Sequence, residues 1–508
     1  MLFALHWLDY SVVVLYLAGM LWLGALFSRR QESGDEYFLA GRSIPWFAVG
    51  LSVIATLMSS LTYVSEPGEV WKSGVTNMLG KMLAIPLEMA LVWFVIIPFL
   101  TRFRYTSAYD YLGERFGAAT KWLGIVLFMW LAVSWMGFIV LVSSRIMSDA
   151  AGVNLFVTIA VTGLVATVYT VAGGLRAVIW TDVAQVVLML GGALMTIAYV
   201  AVETDSGPAA WWDLVVTQKS TGTLAWFSAD PYTRSTILTV ALSMFCWHVC
   251  THVGNQMTVQ RYFTTGSTAK ARKSFVVGSL AGVLINVLLL GVGLALFYYY
   301  DRLGEAMPEG QNPKTNAADN IFPRFALHKL PAGLAGAWMA AMLAAAMSSI
   351  DSGINSAASI LTTEWRRARP RSATEAAGGG IRGAKLLTLV LGVSVTAAAY
   401  GLYLLTAGRN IIDMMGRSFN CFNGPLGGLF FLGMFVRRVG NVAAFWAAMC
   451  GLIVSVGIAY GKELLGLPQS LSPFWVQPCS LSATLLTGVV VSFIVPNRAE
   501  VARGLMLR

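Results

Sequence analysis

AAMSSIDSGINSAASILTTEW, residues 345–365, decides how the rest of the chain is read. It lies in a hydrophobic run that opens near Pro331 and is long enough to cross a bilayer. Yet it places Ser348, Ser349, Asp351, Ser352, Asn355 and Ser356 within nine residues. An acid at membrane depth costs at least about 2.5 kcal/mol, so it marks a functional site by default. On a helix, Ala345, Ser348, Ser349 and Ser352 fall at i, i+3, i+4 and i+7 and share one face, with Asp351 at its edge. Such a face offers hydroxyls and a carboxylate to a common point, which suits a small hard cation that takes oxygen ligands. The plain alternative is that Ser and Ala let helices pack closely.

The 508 residues are 57% hydrophobic and 12% charged. Soluble domains carry about twice that charge. Repeated apolar runs of 18 or more residues identify an all-α integral membrane protein, and a β-barrel would instead show short alternating segments. The net charge of +10 does not point to nucleic acid, because the basic residues cluster in short loops between apolar runs. The five cysteines lie in or beside those runs, which argues against a disulfide framework.

Thirteen spans are expected, at about 9–28, 44–72, 76–101, 119–145, 154–173, 177–202, 236–260, 274–299, 331–364, 384–407, 409–436, 441–461 and 474–496. With the N-terminus outside, inner loops hold 23 Lys and Arg, counting Arg261, and outer loops 10. That bias predicts an N-out, C-in topology. The outer loop 301–330 contains NIFPRF, which reads as a short helix lying across the mouth. Span two, LSVIATLMSSLTYVSEPGEVWKSG, turns from apolar to small and polar and then carries Pro67 and Gly68, so a mid-membrane break is expected between Thr56 and Ser65. Span seven, ILTVALSMFCWHVCTHVGNQMTVQRYF, is likewise interrupted around His248, His252, Gly254, Asn255 and Gln256. Two interrupted helices five spans apart point to an inverted-repeat transporter. CWHVCTH is not read as a metal site, because its Cys and His pairs would project from opposite helix faces.

The motifs resemble the sodium:solute symporter family over nearly the whole chain. GGLRAVIWTDVAQ (173–185) is similar to the family's fifth core helix and MSSIDSGINS (347–356) to its eighth. ATLMSSLTYVSEPGEVWKSG (55–74), TSAYDYLGERFG (106–117) and NGPLGGLFFLGMF (423–435) are similar to the branch that carries iodide, monocarboxylates and vitamins. The resemblance implies the leucine-transporter fold: a 5+5 inverted repeat with one extra N-terminal helix and two extra C-terminal helices. Its divisions here would be 1–43, 44–204 for the first repeat, 205–235 as an outer loop, 236–436 for the second repeat, and 437–508. It also implies a main sodium site from the carbonyls of Ala55, Met58 and Ala345 and the hydroxyls of Ser348 and Ser349. A second sodium site of some members would map to Asp182, Ser348, Asp351 and Ser352, with Asp351 standing where Ser is usual. The co-transported cation is Na+, one or two per cycle.

The substrate region implied by the resemblance takes in Ser59, Thr62, Lys81, His248, Thr251, Arg417 and Asn420. Sugar-transporting relatives have Glu or Gln at the Lys81 position. Lys81 therefore either makes the cavity electropositive, together with Arg417, or pairs with an internal acid such as Glu66, Glu69 or Glu88. His248 either lines the cavity or packs as a neutral imidazole. The sialic-acid carriers' Arg has an apolar counterpart neighbourhood here, SWMG (134–137). The expected activity is sodium-coupled import of a small organic anion, such as a monocarboxylate, sialic acid or sugar acid, with a neutral sugar or polyol as the alternative. An enzyme is not expected, since no catalytic constellation is visible. A channel would show a filter loop, and a transporter-like sensor would need a soluble domain beyond the dozen residues after Pro496. The chain is expected in a bacterial inner membrane, having no Asn-x-Ser/Thr sequon, with the lipid bilayer and its solute as partners and no obligate protein partner.

Overall fold

The computed structural model describes residues 5–28, 34–103, 105–219, 225–303, 320–368, 379–405, 419–495 and 505–507, and every regular element among them is a helix. In chain order the principal helices are α1 (Trp7–Ser28), α2 (Trp46–Leu57), α3 (Ser60–Ser73), α4 (Thr76–Leu91), α5 (Ala118–Ala151), α6 (Leu155–Glu203) and α7 (Ile237–Gly254). They continue with α8 (Gln256–Phe263), α9 (Thr268–Arg302), α10 (Leu334–Ala368), α11 (Gly379–Leu405), α12 (Asn420–Phe435), α13 (Asn441–Ala459) and α14 (Val476–Ile494). A π turn at Val92–Ile96 carries α4 on to Leu100. Among the described residues ten helices are long and apolar enough to cross a membrane, or eleven when α2 and α3 count as one bent span.

Two features separate that count from the thirteen expected spans. Segments 154–173 and 177–202 run together as α6, whose 49 residues would extend about 74 Å, far more than a hydrocarbon core of about 30 Å. The helix kinks at Gly174, which adopts φ +57° and ψ −163°. A Cβ there would meet the Tyr37 carbonyl oxygen at 2.8 Å, so both the backbone angle and the close approach require glycine. The expected span 409–436 begins only at Asn420 in the described residues and leaves 16 residues in α12.

Both expected interruptions are present. α2 and α3 meet at 64°. The chain leaves helical geometry at Met58 (φ −90°, ψ 84°) and Ser59 (φ −78°, ψ 167°), and Ser59 Oγ caps α3 by accepting from the Thr62 N–H. The break thus falls in the hydroxyl-rich stretch, and α3 runs on through Pro67. α7 gives way to α8 at Asn255 (φ −81°, ψ 114°), whose Oδ1 accepts from the Met257 N–H at 2.9 Å. NIFPRF forms the start of the short helix Ile321–His328, with Phe322 packed on Trp338.

α10 is the most buried of the candidate spans. Every residue from 341 to 360 is buried, and the helix packs against α1, α2, α3, α5, α6 and α11. Its first turn is capped from another helix. Asp9 of α1 is buried, and its Oδ1 accepts from the N–H groups of Gly333 and Gly336, each at 2.7 Å. A carboxylate there satisfies orphan donors and complements the positive end of the α10 dipole. Replacing Asp9 with Ala should destabilise the protein by about 1.5–3 kcal/mol, the range for a hydrogen bond to a charged group. A lower apparent melting temperature in detergent would show it, and an unchanged one would refute the capping role.

Candidate functional site

The site begins with a backbone problem. The last four carbonyls of a helix have no intrahelical partner. Ile54 keeps one, since its carbonyl accepts from the Met58 N–H at 2.8 Å. The next two carbonyls would need the N–H groups of Ser59 and Ser60, which lie past the break. α10 supplies the donors instead. Ser348 Oγ donates to the Ala55 carbonyl at 2.8 Å and to its own helix at Ala345 at 3.1 Å, while Ser349 Oγ donates to the Thr56 carbonyl at 2.8 Å. Ala55, Ala345, Ser348 and Ser349, four of the five residues expected at the main sodium site, therefore converge, and Met58 marks the break itself. The Thr56 carbonyl joins them unforeseen.

One turn further along α10 is a fully buried polar cluster. Asp351 Oδ2 accepts from Tyr169 Oη of α6 at 2.6 Å, and Asp351 Oδ1 accepts from Ser352 Oγ at 3.1 Å. Ser352 Oγ is 2.9 Å from Thr56 Oγ1 of α2. Asp182 of α6 accepts from Ser52 Oγ of α2 at 2.5 Å. Asp182, Asp351 and Ser352, expected as a second cation site together with Ser348, are thus gathered between α2, α6 and α10.

That cluster already contains a cation. Arg261 of α8 is completely buried. Its Nη2 lies 3.1 Å from Asp182 Oδ2 and also bonds Ser352 Oγ, its Nε donates to Ser52 Oγ at 2.6 Å, and its Nη1 donates to the Met257 carbonyl at 2.6 Å. Arg261, expected in an inner loop, is instead buried within the bundle. The break at Asn255 turns α8 inward and carries Arg261 back into the bundle. Two carboxylates and one guanidinium carry a formal charge of −1, and Asp182 Oδ1 is buried without a hydrogen-bond partner. The residue set therefore has both charge and acceptor capacity for one further cation.

The expected substrate residues divide. Lys81 is paired with Glu66, which resolves its two alternatives toward the internal acid. Glu69 is held bidentately by Arg234 at 2.7 and 2.9 Å and accepts from Asn77. His248 Nδ1 lies 2.6 Å from Glu88 Oε2, so His248 is not a free cavity group. Thr251 Oγ1 accepts from Asn423 Nδ2 at 3.3 Å, linking α7 to α12. Asn420, one turn earlier, turns to α14, where Gln477 donates to its carbonyl at 2.8 Å. Ser59 and Thr62 meet at the cap of α3. Arg417 lies outside the described residues. Unforeseen is an aromatic wall: Trp135 of α5 stacks on Phe419 with centroids 5.4 Å apart and tilts toward Trp247 of α7 at 6.2 Å. Trp135 belongs to the SWMG stretch noted only as apolar.

Removing one partner of a buried ion pair leaves an uncompensated charge and costs about 3–5 kcal/mol. Arg261→Gln should therefore sharply lower the yield of monodisperse protein and its melting temperature, and adding Asp182→Asn should restore part of the loss. A singly substituted Arg261→Gln protein as stable as the wild type would contradict the pairing.

Comparison with known proteins agrees with this architecture. Residues 37–451 match the Sodium:solute symporter family. The Sodium/sialic acid symporter SiaT of Proteus mirabilis (strain HI4320) is 31% identical over 458 residues, covering 90% of this chain and 90% of the relative. Sodium-coupled monocarboxylate transporter 1 of Mus musculus is 28% identical over 472 residues, covering 89% of this chain and 73% of the relative. A solved structure of a Na+-coupled sialic acid symporter, in a substrate-bound outward-open state, superposes with a TM-score of 0.84 at 28% identity, covering 97% of this chain and 99% of that one. The helices thus adopt a leucine-transporter-like fold. With its broken helix docked on the serines of α10, this multi-pass chain belongs to the sodium:solute symporter family and is a sodium-coupled solute symporter, not an enzyme.

Proposed function

We propose that the protein imports a small organic anion (a monocarboxylate, sialic acid or sugar acid) by alternating access. The import is driven by sodium bound where α10 meets the break between α2 and α3. The observation that carries this reading is the docking of Ser348 and Ser349 on the carbonyls of Ala55 and Thr56. Sodium among these oxygens replaces two hydroxyl protons as their positive partner and joins α2 to α10. That stabilises the outward-open state, in which substrate binds before the bundle closes. Sodium and substrate must then raise each other's affinity by the same factor. A negative interior adds about 2.3 kcal/mol per charge per 100 mV.

Kinship with the sialic acid symporters supports an anionic substrate. Lys81 does not, since Glu66 neutralises it. A neutral sugar or polyol is the second reading, favoured by that same pairing and by the stacked Trp135 and Phe419, which suit a sugar ring. The bilayer is proposed as a bacterial inner membrane. Thirteen spans are proposed, N-out and C-in, as two five-helix repeats (44–204 and 236–436) with the loop 205–235 between them. They are flanked by 1–43 and 437–508. Without Arg261 the inner basic count becomes 22 against 10 outside, which still favours that orientation.

A second sodium is proposed at Asp182, Ser348, Asp351 and Ser352. The formal charge of −1 there and the unpartnered Asp182 Oδ1 support it. Reconstituted into proteoliposomes, the wild type should accumulate an organic anion against its gradient only when sodium is high outside. Ser348→Ala with Ser349→Ala should raise the half-saturating sodium concentration at least about tenfold, the effect of 1.4 kcal/mol. Accumulation without a sodium gradient would refute the symport reading, and uptake of neutral sugars alone would refute the anion. The sodium dependence should have a Hill coefficient near two, falling to near one in Asp351→Ala. A coefficient of one in the wild type would remove the second ion.

A further inference from the structure

A second group of titratable residues, Glu88 and His252 buried and His248 half-buried, lies outside the Asp182–Asp351 cluster. Between α2, α4, α7 and α9 is a small recess whose polar lining includes Glu88, His248, His252 and Asn286. Glu88 sits at the middle of the 25-residue span Thr76–Leu100 and is buried. Its two carboxylate oxygens are divided between the imidazoles. His248 Nδ1 is 2.6 Å from Oε2 and His252 Nε2 is 3.6 Å from Oε1, both within ion-pair reach, although neither contact has hydrogen-bond geometry and His248 Nδ1 is left without a hydrogen-bond partner. The two histidines are four residues apart on α7, so one helix face presents both. His252 is itself fixed from behind, with Nδ1 2.6 Å from Tyr262 Oη of α8 and its ring edge-on to Phe275 of α9.

The surrounding elements supply no other charge. α2 and the break that follows it contribute only Val53, Ile54, Leu57 and Met58 to the recess, and α9 only uncharged residues, with Asn286 Nδ2 spent on the Gly282 carbonyl. Lys81, two turns before Glu88 on α4, is held by Glu66, and Glu69 of α3 is held by Arg234. Arg272 of α9 donates to the Trp93 carbonyl, and Arg261 of α8 belongs to Asp182. The faces of α12 and α14 that pack on α7 carry no charged residue, and Cys246 and Cys250 lie on the other side of α7 from its histidines. Among the described residues, then, no Lys or Arg stands within ion-pair distance of Glu88.

A carboxylate at membrane depth needs a compensating charge. With both imidazoles neutral the trio carries −1, and one added proton brings it to zero. We propose that Glu88, His248 and His252 form a one-proton binding site whose occupancy makes transport pH dependent. The added proton makes one imidazole the counter-charge of Glu88 and so ties the middle of α4 to α7, His252 standing three residues before the break at Asn255. It thereby sets how firmly the hinge between α7 and α8 is anchored. His is the side chain suited to this exchange, because its charge changes between about pH 5 and 8. The transport consequence rests on the symport reading above, whereas proton binding does not.

The test uses the full chain. The sequence has four histidines, so selective ¹³C and ¹⁵N histidine labelling in nanodiscs gives four imidazole signals, with His248→Asn and His252→Asn assigning the bundle pair. One of that pair should take up a single proton as the pH is lowered, and Glu88→Gln should displace that transition. In proteoliposomes at fixed sodium gradient, wild-type uptake should vary with pH along a single-proton curve that Glu88→Gln flattens. His252→Asn should flatten it too if Glu88→Gln fails to fold. Rings that do not titrate, a transition indifferent to Glu88, or an unchanged pH profile in the variants would each overturn the proposal. If sodium drives no uptake at all, the symport reading falls while the imidazole titration still decides the proton site.

Discussion

A transmembrane helix that stops halfway across must find partners for the backbone groups it leaves behind. In hydrocarbon each unsatisfied group costs several kcal/mol. α2 stops at Leu57, and the carbonyls of Ala55 and Thr56 are paired by Ser348 and Ser349 of α10. This contact is a condition of the break, and the break in turn places carbonyl oxygens at membrane depth. The arrangement is poised because a hydroxyl proton and a small cation are alternative partners for the same oxygens. A helix that remained continuous would hide those carbonyls in its own ladder, and a serine on α10 would then have nothing to meet.

The same constraint organises the charges. Glu66 meets Lys81, Glu69 meets Arg234, Asp182 meets Arg261, and Glu88 meets two imidazoles. In all four cases the partners come from different segments of the chain. Asp351 is the buried acid that rests on hydroxyls, from Tyr169 and Ser352. Charges that could have been attributed to the solute are thus largely engaged within the protein. The Trp135–Phe419 stack and the Thr251–Asn423 pair, by contrast, are uncharged.

Much of this was legible before the structure. The hydroxyl stripe of residues 345–356 identified the central helix because an acid flanked by serines is costly at membrane depth unless it binds or pairs with something there. The breaks in spans two and seven were visible as clusters of small and polar residues inside apolar runs. Arg261 was not legible, for a geometric reason. A basic residue just past a hydrophobic run reads as an inner-loop charge, and only the turn at Asn255 shows that the chain re-enters the bundle there. Lys81 was ambiguous because helix periodicity says which face a residue occupies but not which acid on a neighbouring helix faces it. The division of α6 was legible, since its kink at Gly174 falls in the gap expected between residues 173 and 177, although the helix is continuous on either side of it.

Coupling also gains a physical form from these contacts. α2 touches α10 through the serine bonds and touches α6 through Ser52 and Asp182, while α8 reaches both through Arg261. α2 and α8, one half of each broken helix, therefore both contact the same cluster on α6 and α10. Ser352 and Asp182 share Arg261 as a partner, and Thr56 reaches Ser352 through its hydroxyl while its carbonyl is held by Ser349, so these contacts lie side by side on one face of α10. An ion bound there can act on two separate helix breaks, since neither half can leave α10 without exposing a buried charge or an unpaired carbonyl.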